Sequence, residues 1–171
     1  ESLHESEERF RRLAENAPDV IYRMKIPEGI YEYMSPSAER VLGYKPEEVY
    51  AKPKLVSETI HPDWRDYFSR EWNKLLNGEA SPYYEYKMIT PYGKEKWIHQ
   101  RNVLIKDENG KPVALEGIVT DITERKLMEE ELSLKNAILS AEQEVSLDGI
   151  LIVDRDGKTL ALNRRFTEIW R

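Results

Sequence analysis

Two stretches of alternating residues hold the side chains with the most to offer chemically. In Val20-Ile21-Tyr22-Arg23-Met24-Lys25 the charged Arg23 and Lys25 face water, so Tyr22 and Met24 face inward. The same parity turns Tyr84, Tyr86 and Met88 inward opposite Glu85 and Lys87. Tyrosine hydroxyls beside soft methionines suit a small-molecule cavity with few polar anchors. They equally suit a filled core, which their bulk favours.

Other chemistry finds less support. His4, His61 and His99 stand apart in sequence, without the paired spacing of a metal or haem site, so structural or solvent roles are expected and no metal or haem is predicted. With no cysteine, disulfides, thiolate ligands and cysteinyl-flavin adducts are excluded. Gly93, Gly110 and Gly157 occur singly in turns rather than in a phosphate cradle. No two carboxylates are fixed as an acid and base pair, and no catalytic residue is assigned.

These side chains need positioning elements. An amphipathic helix over Ser2 to Asn16 stops before Pro18. Val20 to Lys25 and Ile30 to Ser35 form a hairpin about the Pro27-Glu28-Gly29 turn. Ser35 is expected to cap a helix with Pro36 at its first position and Gly43 at its end. Short helical pieces follow, then a helix over Asp63 to Asn77 in which Trp64 and Trp72 are available for packing. Three antiparallel strands are read at Tyr83 to Ile89, Lys96 to Lys106 and Val113 to Ile122. The fold class is therefore α+β: five antiparallel strands in one sheet, covered by short helices.

A long connector helix runs from Thr123 to about Val145. Leu127, Leu134 and Ala141 recur every seven residues with Ile138 and Val145 offset, while Glu131 interrupts the stripe. A parallel homodimer through this helix and a solitary packed connector both fit. Asp148 to Gly157 then repeats the pattern of Asp19 to Gly29, and Gly157 to Asn163 matches Gly29 to Ser35, with Phe166 and Trp170 in the places of Ala38 and Leu42. The expected organisation is an N-terminal helix at 1–17, a domain at 18–123, a linker at 124–145 and the start of a second such domain at 146–171. The chain opens at Glu1 and stops within an apolar pattern, as expected of a piece of a longer protein.

Asn16-Ala17-Pro18-Asp19-Val20-Ile21, Tyr33-Met34-Ser35-Pro36-Ser37-Ala38 and Val41-Leu42-Gly43-Tyr44 resemble the opening of PAS domains. Lys96-Trp97-Ile98-His99, the turn at Asp107 to Gly110, and Gly117 through Lys126 with its Asp-Ile-Thr step resemble the PAC portion. The resemblance implies signal input, most often upstream of a histidine kinase, a cyclic-dinucleotide enzyme or a transcription regulator. It implies a ligand space ringed by Tyr22, Met24, Met34, Ala38, Leu42, Tyr84, Tyr86, Met88, Ile98 and Val119. It also makes Asp121, Ile122 and Thr123 the transmission step, where Asp121 can pair with a nearby base and Thr123 can cap the helix from Glu124. A constitutive docking module without ligand is the alternative.

The net charge of -6 disfavours nucleic acid as a partner, and no apolar run approaches the roughly 20 residues of a membrane span. A cytoplasmic location and an output domain in the same longer chain are expected.

Overall fold

Residues 3–79, 83–145, 148–153 and 156–170 are described in a computed structural model of the chain. They fall into two units, Glu1–Glu124 and Arg125–Arg171.

The first unit opens with α1, Leu3–Glu15, in which Ala14 is buried while Phe10 and Leu13 remain exposed. Strands β1, Val20–Lys25, and β2, Ile30–Met34, form the hairpin. Helix α2, Ala38–Leu42, buries Ala38, Val41 and Leu42. It stops because Gly43 turns to φ +87, and a Cβ there would lie 2.7 Å from Pro91 Cδ. Helix α3, Pro46–Ala51, starts at a proline, and the Glu48 carboxylate accepts from the Lys45 amide at 2.7 Å. Helix α4, Leu55–Glu58, a 3-10 turn at Pro62–Trp64 and helix α5, Arg65–Leu76, lead to the long strands.

Those strands are β3, Tyr83–Ile89, β4, Glu95–Lys106, and β5, Pro112–Asp121. All pair antiparallel in the order β2-β1-β5-β4-β3, so the hairpin made first joins the last strand. One face carries Val20, Tyr22, Met24, Tyr84, Tyr86, Met88, Ile98, Leu115 and Val119 into a single core with Leu42, Val49 and Leu75 from the helices. Phe68 of α5 sets its ring 4.4 Å from that of Tyr86, edge to face, and Trp64 and Trp72 pack at the margin of the core. The opposite face is charged, with Arg23 paired to both Glu32 and Glu116. Helix α6, Thr123–Val145, begins two residues after Asp121.

Ser35 does not cap α2, which starts only at Ala38 and whose cap position, Ser37, makes no side-chain cap bond. The Ser35 hydroxyl accepts from the Ile21 amide at 2.9 Å, and the Ser35 amide donates to Ile21 O at 2.8 Å. Clamping the hairpin satisfies a strand-end amide that otherwise has no ladder partner, and that use wins over the helix.

In the second unit α6 continues from Arg125. Leu127, Leu134 and Ile138 are 60%, 63% and 49% exposed. Glu131 accepts from Lys135 one turn on, at 2.6 Å. The Ala141 side chain lies outside the described residues. Strands β6, Leu151–Val153, and β7, Thr159–Leu162, pair antiparallel and lead into α7, Arg164–Ile169. Here Asn163 repeats the Ser35 clamp: its Oδ1 accepts from the Ile150 amide at 2.8 Å and its own amide donates to Ile150 O at 3.1 Å. Unlike Ser35, Asn163 also caps the following helix, accepting from Phe166 at 3.0 Å.

Candidate functional site

The inward tyrosines converge on two amides of β4. Tyr22 donates to Asn102 Oδ1 at 2.7 Å, and Asn102 Nδ2 donates to the Tyr84 hydroxyl at 2.8 Å. Gln100 Nε2 donates to the Tyr22 hydroxyl at 2.7 Å, while Tyr86 donates to Gln100 Oε1 at 2.9 Å. Gln100 and Asn102 are 8% and 9% exposed, so the five side chains form a closed polar network inside an apolar core.

Register explains how it assembles. Tyr22 on β1 and Asn102 on β4 both stand opposite Gly117 of β5, which separates their strands. Neighbouring strands lie about 4.8 Å apart, so two side chains separated by a strand meet only if the one between them is missing. Gly117 leaves that gap, and a Cβ there would fall 2.6 Å from Tyr22 Cε1 and 2.7 Å from Asn102 Oδ1.

Burial sets the electrostatics. Desolvation, reinforced by neighbouring tyrosines, pushes the Tyr22 and Tyr86 hydroxyls well above the ordinary tyrosine range. Desolvation raises Tyr84 to about 12, against the lowering effect of its bond from Asn102. The hydroxyls stay neutral, so the network holds by hydrogen bonds rather than charge.

The ten expected pocket residues are therefore gathered in one core, and their tyrosine hydroxyls are satisfied by Gln100 and Asn102. Gln100 and Asn102 escaped the sequence reading. Their signal was parity, because they share the face of inward Ile98. Two surface clefts lie elsewhere, one of about 500 Å³ beside the end of α1 and one of about 290 Å³ between Tyr44 and Ile60.

The second cluster sits where β5 becomes α6. Asp121 Oδ1 accepts from both the Thr123 amide, at 3.0 Å, and the Thr123 hydroxyl, at 2.6 Å. Thr123 therefore does not cap the helix through its own oxygen. Its Oγ1 is engaged with Asp121 and with the Trp97 amide, which donates to it at 2.9 Å, and Asp121, two residues before the helix, satisfies the first helical amide, that of Thr123. Ile122 donates its amide to Trp97 O at 2.9 Å. The unnamed base is Lys96, whose Nζ lies 3.1 Å from Asp121 Oδ2. Trp97 carries the contact outward, with its ring 5.5 Å from that of Trp64.

Burial raises the Asp121 carboxyl, but bonds from the Thr123 hydroxyl and amide, then from Lys96, together hold it below the ordinary aspartate value. With the folded value depressed, the carboxylate's stabilising contribution is present above the unfolded value of about 3.9 and lost as pH falls through the lower folded one. Titration of Asp121 by carbonyl NMR should give a midpoint below 3.9, with the Thr123 amide resonance moving in step. A midpoint at or above 3.9 contradicts the bonded geometry.

The histidines stay separate. His99 stacks on Tyr83 and lies 3.4 Å from Glu85, His61 accepts from the Asp63 amide, and His4 pairs with Glu8 on α1. Among the described residues no group of three or more His, Cys, Asp or Glu is placed to hold a metal ion, and no helix is long and apolar enough to cross a membrane.

Comparison with known proteins adds to this geometry. Residues 31–119 match the sequence profile of the family described as PAS fold. The methyl sulfide methyltransferase-associated sensor of Methanosarcina acetivorans is 30% identical over 115 residues, which are 66% of this chain and 11% of that protein. Two-component sensor PprA of Pseudomonas aeruginosa is 29% identical over 122 residues, 70% of this chain and 13% of the relative. This chain thus spans little more than a tenth of either curated relative. Among solved structures, that of a sensory box histidine kinase/response regulator from Burkholderia thailandensis superposes with a TM-score of 0.60 at 25% identity, covering 77% of this chain and 97% of the other.

Proposed function

The chain belongs to the PAS-fold family, and from that premise we propose that it is the input and signal-relay module of a two-component sensor histidine kinase. The observation that carries the reading is the double grip of Asp121, which holds Lys96 of the sheet with one oxygen and the first residue of α6 with the other. A change in the core that shifts β4 or β5 changes how the helix starts, and the helix is the route to an output domain further along the longer chain. The fragment itself performs no catalysis in this reading, and it works in the cytoplasm.

The exposed stripe of Leu127, Leu134 and Ile138, continued in sequence by Ala141, supports a homodimer through α6. The Asn163 clamp, repeating that of Ser35, supports residues 146–171 as the start of a second PAS unit. In the longer protein, Asp121→Ala should change autophosphorylation at least fivefold in one direction, the usual scale of a coupling between sites. Unchanged autophosphorylation in Asp121→Ala and Thr123→Val would sink the relay.

A second reading is favoured by the core itself. The polar groups of Tyr22, Tyr84 and Tyr86 are satisfied internally, as suits a constitutive docking module without ligand. Native mass spectrometry separates the two: a stoichiometric bound small molecule supports ligand sensing, and protein mass alone supports the docking module.

A further inference from the structure

Lys96 lies on the strand that starts beside the end of α2, and its side chain is only 11% exposed. Its ammonium has three N–H donors, and three acceptors surround it: Arg40 O at 2.9 Å, Val41 O at 3.0 Å and Asp121 Oδ2 at 3.1 Å. Arg40 O and Val41 O are among the last carbonyls of α2, which a helix end leaves without partners. The preceding two, Ala38 O and Glu39 O, accept from the Gly43 amide. The carbonyl end of α2 is therefore completed by a residue of the sheet that also grips the start of α6. Lysine suits the task because its ammonium directs three bonds about one point, where the planar guanidinium of arginine presents a fork in one plane.

The position of α2 makes this more than a structural tie. Ala38, Val41 and Leu42 are buried in the core, so a change in core volume bears on this short helix. On the other side the close approach of Gly43 to Pro91 limits where its end can move. We propose that Lys96 is a positioning residue that delivers displacement of α2 to Asp121, so that the helix wall of the core, and not only the sheet, sets the start of α6. The proposal rests on the relay through Asp121 and names one route into it.

The test perturbs α2 from its solvent side and reads the junction in the 171-residue chain. Glu39→Gly loosens α2 without touching the core. Exchange is followed by NMR at the amides of Trp97, Ile122 and Thr123, whose bonds lie at the junction, relative to an amide of the central strand such as that of Leu115. With Lys96 present, Glu39→Gly should speed junction exchange about fivefold or more, within the usual range of site coupling. In Lys96→Met, which keeps the stem and removes the donors, junction exchange should already be fast and Glu39→Gly should add nothing.

An equal response to Glu39→Gly in both backgrounds, or none with Lys96 present, overturns the proposal. Should Lys96→Met fail to fold, the reciprocal measurement decides: Asp121→Asn should speed exchange of the Gly43 amide, and an unchanged Gly43 amide overturns the coupling. Failure of the broader relay reads differently, as α2 and the junction still coupled while Asp121→Ala leaves output unchanged.

Discussion

Gly117→Ala should lower the melting temperature of the first unit on the order of 10 °C. The new Cβ would sit 2.6 Å from Tyr22 Cε1, 2.8 Å from Tyr22 Cζ and 2.7 Å from Asn102 Oδ1. None of these atoms is free to withdraw. The Tyr22 ring is fixed by bonds at its hydroxyl and by an edge contact with Tyr31 at 5.8 Å, and Asn102 is bonded to two tyrosines. Overpacking costs about 1–3 kcal/mol. Displacing Tyr22 or Asn102 adds about 1–3 kcal/mol for polar groups left without partners. Urea unfolding should show a loss of about 3 kcal/mol at unchanged slope, and a loss under 1 kcal/mol would mean that the network relaxes around the methyl group.

Asn102→Leu should cost a comparable amount for a different reason. Leucine fills a similar volume, so packing is largely kept, but the Tyr22 hydroxyl loses its acceptor and the Tyr84 hydroxyl loses its donor. Each buried orphan costs about 1–3 kcal/mol, whereas removing both partners of a bond is close to neutral. Adding Tyr84→Phe to Asn102→Leu should therefore recover the share of the loss due to the Tyr84 hydroxyl, while Tyr22 is kept because its hydroxyl accepts from Gln100 Nε2. Strictly additive losses across the two substitutions would show that Tyr84 is held by packing alone.

The tyrosines were legible in the sequence because charged neighbours declare the outer face: Arg23 and Lys25 flank Met24, and Glu85 and Lys87 flank Tyr86. The five-stranded sheet was legible for a related reason, since each strand is bounded by a proline or glycine turn. Gln100 and Asn102 were not, because amides on a strand read as solvent-facing unless their parity with Ile98 is given more weight than their polarity. The role of Gly117 depends on strand order, since only with β5 between β1 and β4 does its missing side chain matter.

The junction follows the same division. Asp, Ile and Thr at 121–123 were recognisable as a motif, but which oxygen caps the helix is a matter of geometry within a few ångströms. The three bonds of Lys96 join residues about 25 and 55 positions away, a distance that periodicity does not reach. Ser35 shows the competition most simply: the residue type promised a hydrogen bond to a nearby amide, and the strand partner took it rather than the helix.

The relay from core to helix is tested most directly by a small change inside the network, read in α6. Tyr86→Phe removes one bond, that to Gln100 Oε1, and leaves the ring against Phe68. Amide exchange and chemical shifts over residues 122–130 should change in Tyr86→Phe, and the response beyond Thr123 should vanish when Asp121→Ala is added. A helix that ignores Tyr86→Phe, or that responds equally without the Asp121 carboxylate, would contradict the relay.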